Sequence, residues 1–170
     1  MSMEQEYLIV DGYNIINNWP DFAGMRSQDL SHAREHLEEI LANYQALSGK
    51  QVILVFDAHQ VKGQETVENK NGLQVIYSGQ GKTADQVIEQ LVYNLSKGYR
   101  VTVATSDWLE QRIVLGKDGL RISARELRLL VMETIEQSKQ HYRKGRQQRS
   151  LSNYLTEEQF QVLEQLRRHK

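Results

Sequence analysis

Short apolar runs alternate with amphipathic helical patterns along this chain, and the alternation strongly limits the folds open to it. The runs, rich in β-branched residues, are YLIV (7–10), QVILVF (51–56), LQVIY (73–77) and RVTVAT (100–105). Continuous apolar runs of this length are typical of strands buried on both faces of a parallel sheet. Helical patterns lie between them, at 29–47 and 83–97. We therefore expect an α/β protein with three layers, in which helices cover both faces of a mostly parallel sheet.

The second half of the chain is mostly helical by pattern, with helices predicted at about 107–115, 124–141 and 156–168. Capping boxes mark two of the starts, at Ser123 to Glu126 and at Thr156 to Gln159. Residues 144–153 are polar and basic and are predicted to form a loop. The sequence thus predicts a main domain over residues 1–142, with residues 143–170 as a basic loop and helix packed on it.

Composition excludes several classes of protein. The 170 residues suit one globular domain, and the absence of cysteine excludes disulfides and thiolate metal sites. No apolar run approaches the ~20 residues of a membrane span, and the first residues do not resemble a signal peptide. A soluble cytoplasmic protein without a membrane partner is expected.

Charge is distributed unevenly along the chain. Residues 139–170 hold eight Lys or Arg and three Glu, a net charge of +5, so residues 1–138 carry −6 of the total of −1. This asymmetry is typical of proteins with a polyanionic partner, although a solvated helix face gives the same pattern.

The stretch SGQGKTADQVIEQL (78–91) resembles a phosphate-binding loop followed by a helix. Such a loop requires G-x-x-x-x-G-K-[ST], and counting back from Gly81 places Ile76 where the first glycine is needed. The nucleoside triphosphate interpretation is therefore disfavoured. Thr83 to Gln86 instead forms a capping box, which places Asp85 in the first turn of a helix, where the helix dipole alone also favours a carboxylate.

Four aspartates follow strands or open helices at one edge of the predicted sheet. Asp11 follows the first run, Asp57 the second and Asp107 the last, while Asp85 opens the helix after the third. The carboxyl ends of parallel strands line one crevice, where like charges repel one another unless a cation is bound. Oxygen ligands without cysteine indicate Mg²⁺ or Mn²⁺, and such ions support hydrolysis of phosphodiesters. Each aspartate alone also fits a turn or a helix cap.

Histidines give a weaker alternative. His32 and His36 have the i, i+4 spacing of zinc ligands, but HAREH lacks the glutamate arrangement of the HExxH motif. Surface histidines are the better interpretation.

The segments LIVDGYNII, VILVFDAH, GKTADQVIEQL and VTVATSD, in this order, resemble the YacP-like branch of the NYN domains, within the PIN-like nuclease superfamily. The resemblance runs from about Tyr7 to His141. It implies a Rossmann-like PIN-type fold with extra C-terminal helices and a Mg²⁺- or Mn²⁺-dependent endoribonuclease. It also implies that the substrate is mRNA, met on the ribosome.

The resemblance assigns roles to individual residues. Asp11, Asp85 and Asp107 are the expected metal ligands, and Asp57 and Asn14 complete the catalytic set, Asn14 by orienting Asp11 or by contacting substrate. Contacts to RNA are expected from Lys82 and Ser106, and from the basic segment through Lys139, Arg143, Lys144, Arg146 and Arg149, with Tyr13 or Tyr142 available to stack on a base. Lys82 is equally well interpreted as a solvated loop lysine. A module that binds RNA or the ribosome without cutting is the main alternative, and a different metal phosphohydrolase or a nuclease acting on DNA is the next. The oligomeric state is not predicted.

Overall fold

A computed structural model describes residues 4–25, 29–58, 62–107, 119–154 and 157–168. Its strands are β1 (Glu6–Asp11), β2 (Gln51–Phe56), β3 (Thr66–Lys70), β4 (Leu73–Tyr77), β5 (Arg100–Ala104) and β6 (Leu120–Ile122). The helices are α1 (Gly12–Asn18), α2 (Leu30–Ser48), α3 (Ala84–Leu95), α4 (Ala124–Tyr154) and α5 (Glu157–Arg168), with a 3-10 turn at Pro20–Phe22. The predicted α/β class is confirmed.

The strands form one sheet in the order β3-β4-β2-β1-β5-β6. β1 is central and pairs in parallel with β2 and β5, and the pairs β2–β4 and β5–β6 are also parallel. The chain builds outward from β1 through β2 to β4, and then returns to the other side of β1 to form β5. The order reverses between β1 and β5, and such a reversal opens a crevice beyond the carboxyl ends of the two strands.

Alternation along the strands gives the sheet two apolar faces. On one face, buried strand residues form a single cluster with α3, made of Ile9, Ile53, Val55, Ile76, Val101 and Val103 with Ala84, Val87, Ile88 and Val92. Successive side chains of a strand point to opposite faces, so Leu8, Val10 and Leu54 lie on the other side. There α2 packs against β2 and β4 and buries Ala33, Leu37 and Leu41. The two layers of helix hold the carboxyl edge of the sheet in a fixed position.

The structure also departs from the sequence predictions. β3 is an antiparallel hairpin partner of β4, and β6 is a three-residue edge strand; neither was predicted. The loop predicted at 144–153 is wrong, because α4 continues without a break to Tyr154. Its Gln, Arg and Lys residues are good helix formers and the segment contains no proline, so polarity alone did not indicate a loop. The predicted helix at 107–115 and the capping box at Thr156 lie outside the described residues.

The chain divides into two compact units, Met1–Met132 and Glu133–Lys170, with the boundary inside α4. The predicted division at residue 142, and the packing of the tail on the main domain, stay predictions. None of the described helices has the length and apolar character required to cross a membrane.

Candidate active site

Asp11 is the last residue of β1, and the turn that follows it is set by close packing. Gly12 is buried and opens α1 directly beneath the ring of Phe56. A Cβ atom at Gly12 would lie 2.3 Å from Cε1 of Phe56. Only glycine fits without displacing the ring, and the fit fixes the point at which the chain leaves the strand after the carboxylate.

Thr105 connects the ends of β1 and β5. Its side chain is fully buried, and its hydroxyl donates to Oδ2 of Asp11 at 3.4 Å. The same hydroxyl accepts the backbone N–H of Asp107 at 3.1 Å. One buried hydroxyl therefore ties together two of the predicted acidic residues, which lie on either side of the reversal in strand order.

Asn14 also holds the segment that follows β5. Its Oδ1 accepts the backbone N–H of Ser106 at 2.8 Å. The Ser106 hydroxyl in turn accepts the N–H of Ala124 at 3.1 Å, at the first residue of α4. Asn14 was predicted to orient Asp11 or to contact substrate, and Ser106 to contact substrate. In the structure both bond to the protein's own backbone.

Two contacts fix the start of α4 within the first unit. Trp19 is buried, and its Nε1 donates to the carbonyl of Ala124 at 2.7 Å. Arg128 donates to both carboxylate oxygens of Asp21, at 2.7 and 3.3 Å. The hydrogen bond from Arg128 lowers the pKa of Asp21, although partial burial opposes the shift. These contacts hold the first turn of α4, whose first residue is bonded to the Ser106 hydroxyl.

Asp57 follows β2 next to Asp11 in the sheet and is half-buried. The end of β2 is pinned to the end of β4, because the Ser78 N–H donates to the Phe56 carbonyl at 3.0 Å and the Ser78 hydroxyl accepts the Ala58 N–H at 2.8 Å. The side chain of Ser78 is buried. Asp57 therefore leaves the sheet from a fixed strand end, as the sequence predicted.

Asp85 lies in the first turn of α3, which begins with the predicted capping box. Thr83 Oγ1 accepts the Gln86 N–H at 3.3 Å, and Gln86 Oε1 accepts the Thr83 N–H at 2.9 Å. A tight turn precedes it, in which the Lys82 N–H donates to the Gly79 carbonyl and Gly81 has φ +77°. Left-handed backbone of this kind favours glycine. The Gly-Lys-Thr sequence therefore turns the chain into α3 and caps it.

Lys82 is held by neighbouring side chains. Its Nζ lies 3.0 Å from Glu65 Oε2 and 2.9 Å from Gln90 Oε1. The backbone of Glu65 passes close to Gly79, where an added Cβ atom would lie 2.6 Å from the Glu65 nitrogen. This approach brings Glu65 near Lys82. The predicted phosphate contact thus already has an anionic partner.

Tyr13 is the second residue of α1 and lies between Asp11 and Asn14 in the sequence. Its ring lies 5.0 Å from the Phe56 ring at a tilt of 55°, and its hydroxyl accepts a hydrogen bond from Arg34 at 2.9 Å. Arg34 was not predicted as part of the site, and nothing in the pattern of α2 marks it. The predicted role of Tyr13 in stacking on a base stays a prediction.

The carboxylates at this edge of the sheet suit a hard cation such as Mg²⁺ only if one or two of them bind it directly. Within the described residues, no three carboxylate or imidazole groups are grouped so as to hold a metal ion. Mg²⁺ commonly binds through one or two carboxylates and keeps its remaining positions for water and phosphate oxygens. Asp11 and the backbone of Asp107 are both bonded to Thr105, which makes these two residues candidates for that kind of site. The predicted three-ligand set with Asp85 stays a prediction.

The predicted RNA contacts of the second unit lie on α4. Arg143, Lys144 and Arg146 are exposed, as are Lys139 and Tyr142, whereas the side chain of Arg149 lies outside the described residues. The other predicted alternative, a pair of surface histidines, is consistent with the structure. His32 is exposed, and His36 packs its ring edge-on against Phe22 at 5.6 Å.

Three comparisons with known proteins agree. The family model for the YacP-like NYN domain matches residues 8–168. Uncharacterized protein YacP of Bacillus subtilis (strain 168) is 42% identical over 132 residues, which are 77% of this chain and 77% of that protein. A crystal structure of Rae1 (YacP) from Bacillus subtilis superposes with a TM-score of 0.72 at 36% identity and covers 98% of this chain and 95% of that one. A mutant of the same protein gives 0.74 at 34% identity, covering 88% and 89%.

Proposed function

Since the chain belongs to the YacP-like NYN domain family, we propose that it is a ribonuclease that hydrolyses RNA phosphodiester bonds at the carboxyl edge of its sheet. NYN domains are generally nucleases, and the family model matches residues 8–168 of this chain. The observation that best supports the proposal is the bridge from Asp11 through Thr105 to the backbone of Asp107. It lies where the strand order reverses, the position at which open α/β sheets bind their ligands.

Within the proposed site, Asp11 and Asp107 would hold a Mg²⁺ or Mn²⁺ ion, with Asp85 as the third candidate ligand. The ion would supply charge neutralisation at the phosphate and activation of the attacking water. Asp57 lies next in the row and serves as a further acid or base. Asn14 and Thr105 hold the segment from Thr105 to Asp107 beside Asp11 through bonds to its backbone and to the Asp11 carboxylate.

RNA is the proposed substrate class, with mRNA on the ribosome as the proposed source and the cytoplasm as the location. Lys82 lies one position before the cap of α3 and is the candidate phosphate contact at the edge. Tyr13 and Ser106 are candidate contacts to the nucleotide. The acidic main unit by itself repels a polyanion, so the cations of α4 are needed to retain RNA.

The proposal is tested by incubating the full chain with a circular RNA and Mg²⁺ or Mn²⁺. A circle has no ends, so linear products demonstrate endonucleolytic cleavage. Wild type should linearise the circle, and Asp11→Asn and Asp85→Asn should not. The matched control is Glu39→Gln, which neutralises an exposed carboxylate on α2.

Two results contradict the proposal. If wild type and Asp11→Asn give the same products at the same rate, the acidic edge is not the active site. If no variant cuts but wild type binds RNA or ribosomes, the chain is the non-catalytic binding module.

A further inference from the structure

One stretch of helix α4 carries positive charge that no carboxylate of the same stretch balances. Between Glu136 and Glu157 the sequence has no Asp or Glu and five Lys or Arg. The structure makes most of this segment one continuous helix, up to Tyr154. A helix fixes the spacing of its side chains, so the charges have a defined direction as well as a defined number.

Three of the cations share one side of the helix. Lys139, Arg143 and Arg146 follow one another at intervals of four and three residues, the spacings that place side chains one above another. Tyr142 lies three residues after Lys139 and four before Arg146, and it is 72% exposed. We call these four residues the basic face. Within the described part of the chain, none of its three cations is paired with a carboxylate.

We infer that the basic face is a docking surface for the phosphate backbone of RNA. The inference rests on the proposed function for RNA as the ligand class. The three cations extend over about 10 Å of the helix axis. A nucleic acid backbone presents several phosphates over such a length. Tyr142 lies between the cations, where it can stack on a base, and contacts of both kinds are independent of sequence.

The rest of the helix surface favours RNA over a lipid membrane. Helices that lie on membranes present a wide apolar face opposite their cations. Here the positions of 139–147 outside the basic face are Gln140, His141, Lys144, Gly145 and Gln147, and all but the half-buried Gly145 are exposed. A polar helix with one cationic side matches a hydrated polyanion.

The position of Lys144 on the helix separates it from the cations of the basic face. Lys144 follows Arg143 by one residue, which places it about 100° further round the helix. It has the same charge and exposure but lies off the basic face, so the basic face leaves out this one of the RNA contacts predicted from the sequence. Lys144→Ala is therefore a matched control for a surface that depends on geometry, since it removes one charge from the same helix.

The test is fluorescence anisotropy of a labelled RNA hairpin with the full-length protein in EDTA, over a series of salt concentrations, with the RNA checked on a gel afterwards. The double variant Arg143→Ala/Arg146→Ala should weaken binding about tenfold at moderate salt. It should also lower the slope of log affinity against log salt by about 0.7–0.9 per residue removed. Lys144→Ala should change affinity less than twofold. Replacing both arginines with lysine should restore most of the slope.

Several outcomes would overturn the inference: an unchanged salt slope in the double variant, an effect of Lys144→Ala equal to that of Arg143→Ala, or equal competition by vesicles of anionic lipid. Circular dichroism melting curves show whether each variant is folded. Failure of the proposed function is read separately, from cleavage of the circular RNA at saturating protein. There the double variant should need more protein than wild type to reach the same rate but should still cut, whereas Asp11→Asn should not cut at any protein concentration.

Discussion

The hydroxyl of Thr105 lies 3.4 Å from Oδ2 of Asp11, although the two residues are 94 positions apart in the chain. Because the same hydroxyl accepts the Asp107 N–H, its removal disturbs both proposed metal ligands without changing either of them.

Thr105→Val should therefore lower the cleavage rate by about 10- to 100-fold, the usual cost of losing a residue that orients ligands. The mutation also leaves a backbone N–H without its partner, which costs about 1–3 kcal/mol of the free energy of unfolding. Thr105→Ser keeps the hydroxyl and should retain most activity. Cleavage rates and urea unfolding curves check both effects; equal activity of the Val and Ser variants would contradict a role for the hydroxyl.

Thr83 and Asp85 separate stability from function within one helical turn. Thr83→Ala removes half of the capping box and should cost about 1 kcal/mol of the free energy of unfolding while cleavage continues. Asp85→Asn should abolish cleavage with little change in stability. Thermal melts and cleavage of the circular RNA measure the two quantities. If Thr83→Ala loses as much activity as Asp85→Asn at a temperature where both are folded, Asp85 acts only through the helix.

Gly12→Ala tests the contact with Phe56. The new Cβ would lie 2.3 Å from Cε1 of the ring, so either the ring or the turn after Asp11 must move. We expect a loss of about 1–3 kcal/mol in the free energy of unfolding and reduced cleavage. Replacing the ring by a smaller side chain, with Phe56→Leu in the same chain, should recover part of the lost stability in a double-mutant cycle. Gly24→Ala, where a Cβ meets nothing within 4 Å, is the control.

Glu65 competes with phosphate for Lys82 if Lys82 contacts RNA. Glu65→Gln removes the anion 3.0 Å from the lysine and should tighten RNA binding, whereas Lys82→Ala should weaken it. In the double variant the benefit of Glu65→Gln should disappear. The measurement is RNA affinity at fixed salt; an equal gain from Glu65→Gln with and without Lys82 would show a general charge effect instead.

The ion pair of Asp21 and Arg128 predicts a pH dependence of stability. The pKa of Asp21 is lower in the folded protein because Arg128 donates to its carboxylate. The pair therefore contributes stability above the unfolded pKa of about 4, and this contribution is lost as pH falls through the folded pKa. Both side chains are partly exposed, so about 0.5–1 kcal/mol is expected. Urea unfolding of Asp21→Asn should show this deficit at pH 7 and a smaller one at pH 3.5. A constant deficit would contradict the assignment.

The sequence predicted the buried parallel strands well because their apolar runs are continuous. It did not reveal β3, whose TVENK sequence is polar and mostly exposed and has no apolar face to detect. β6 has only three residues, too few for any periodicity. The loop prediction at 144–153 failed for the opposite reason, since polar residues with high helix propensity resemble a loop by composition.

The site residues could likewise be predicted only in part from the sequence. Asp11, Asp57, Asp85 and Asp107 were predicted from their places at strand ends and helix starts, and topology places them at the same edge. The partners of these residues were not predictable, because contacts such as Lys82 with Glu65, or Tyr13 with Arg34, depend on the approach of distant segments.

The central place of β1 also sets an order of assembly during synthesis. β1 is made first, yet its two neighbours in the sheet are β2 and β5, and the latter ends at Ala104. Until β5 has been made, the apolar first strand has one side open. The bridge from Asp11 through Thr105 needs residues up to Asp107 of the 170. A growing chain therefore lacks the acidic edge until Asp107 has been translated.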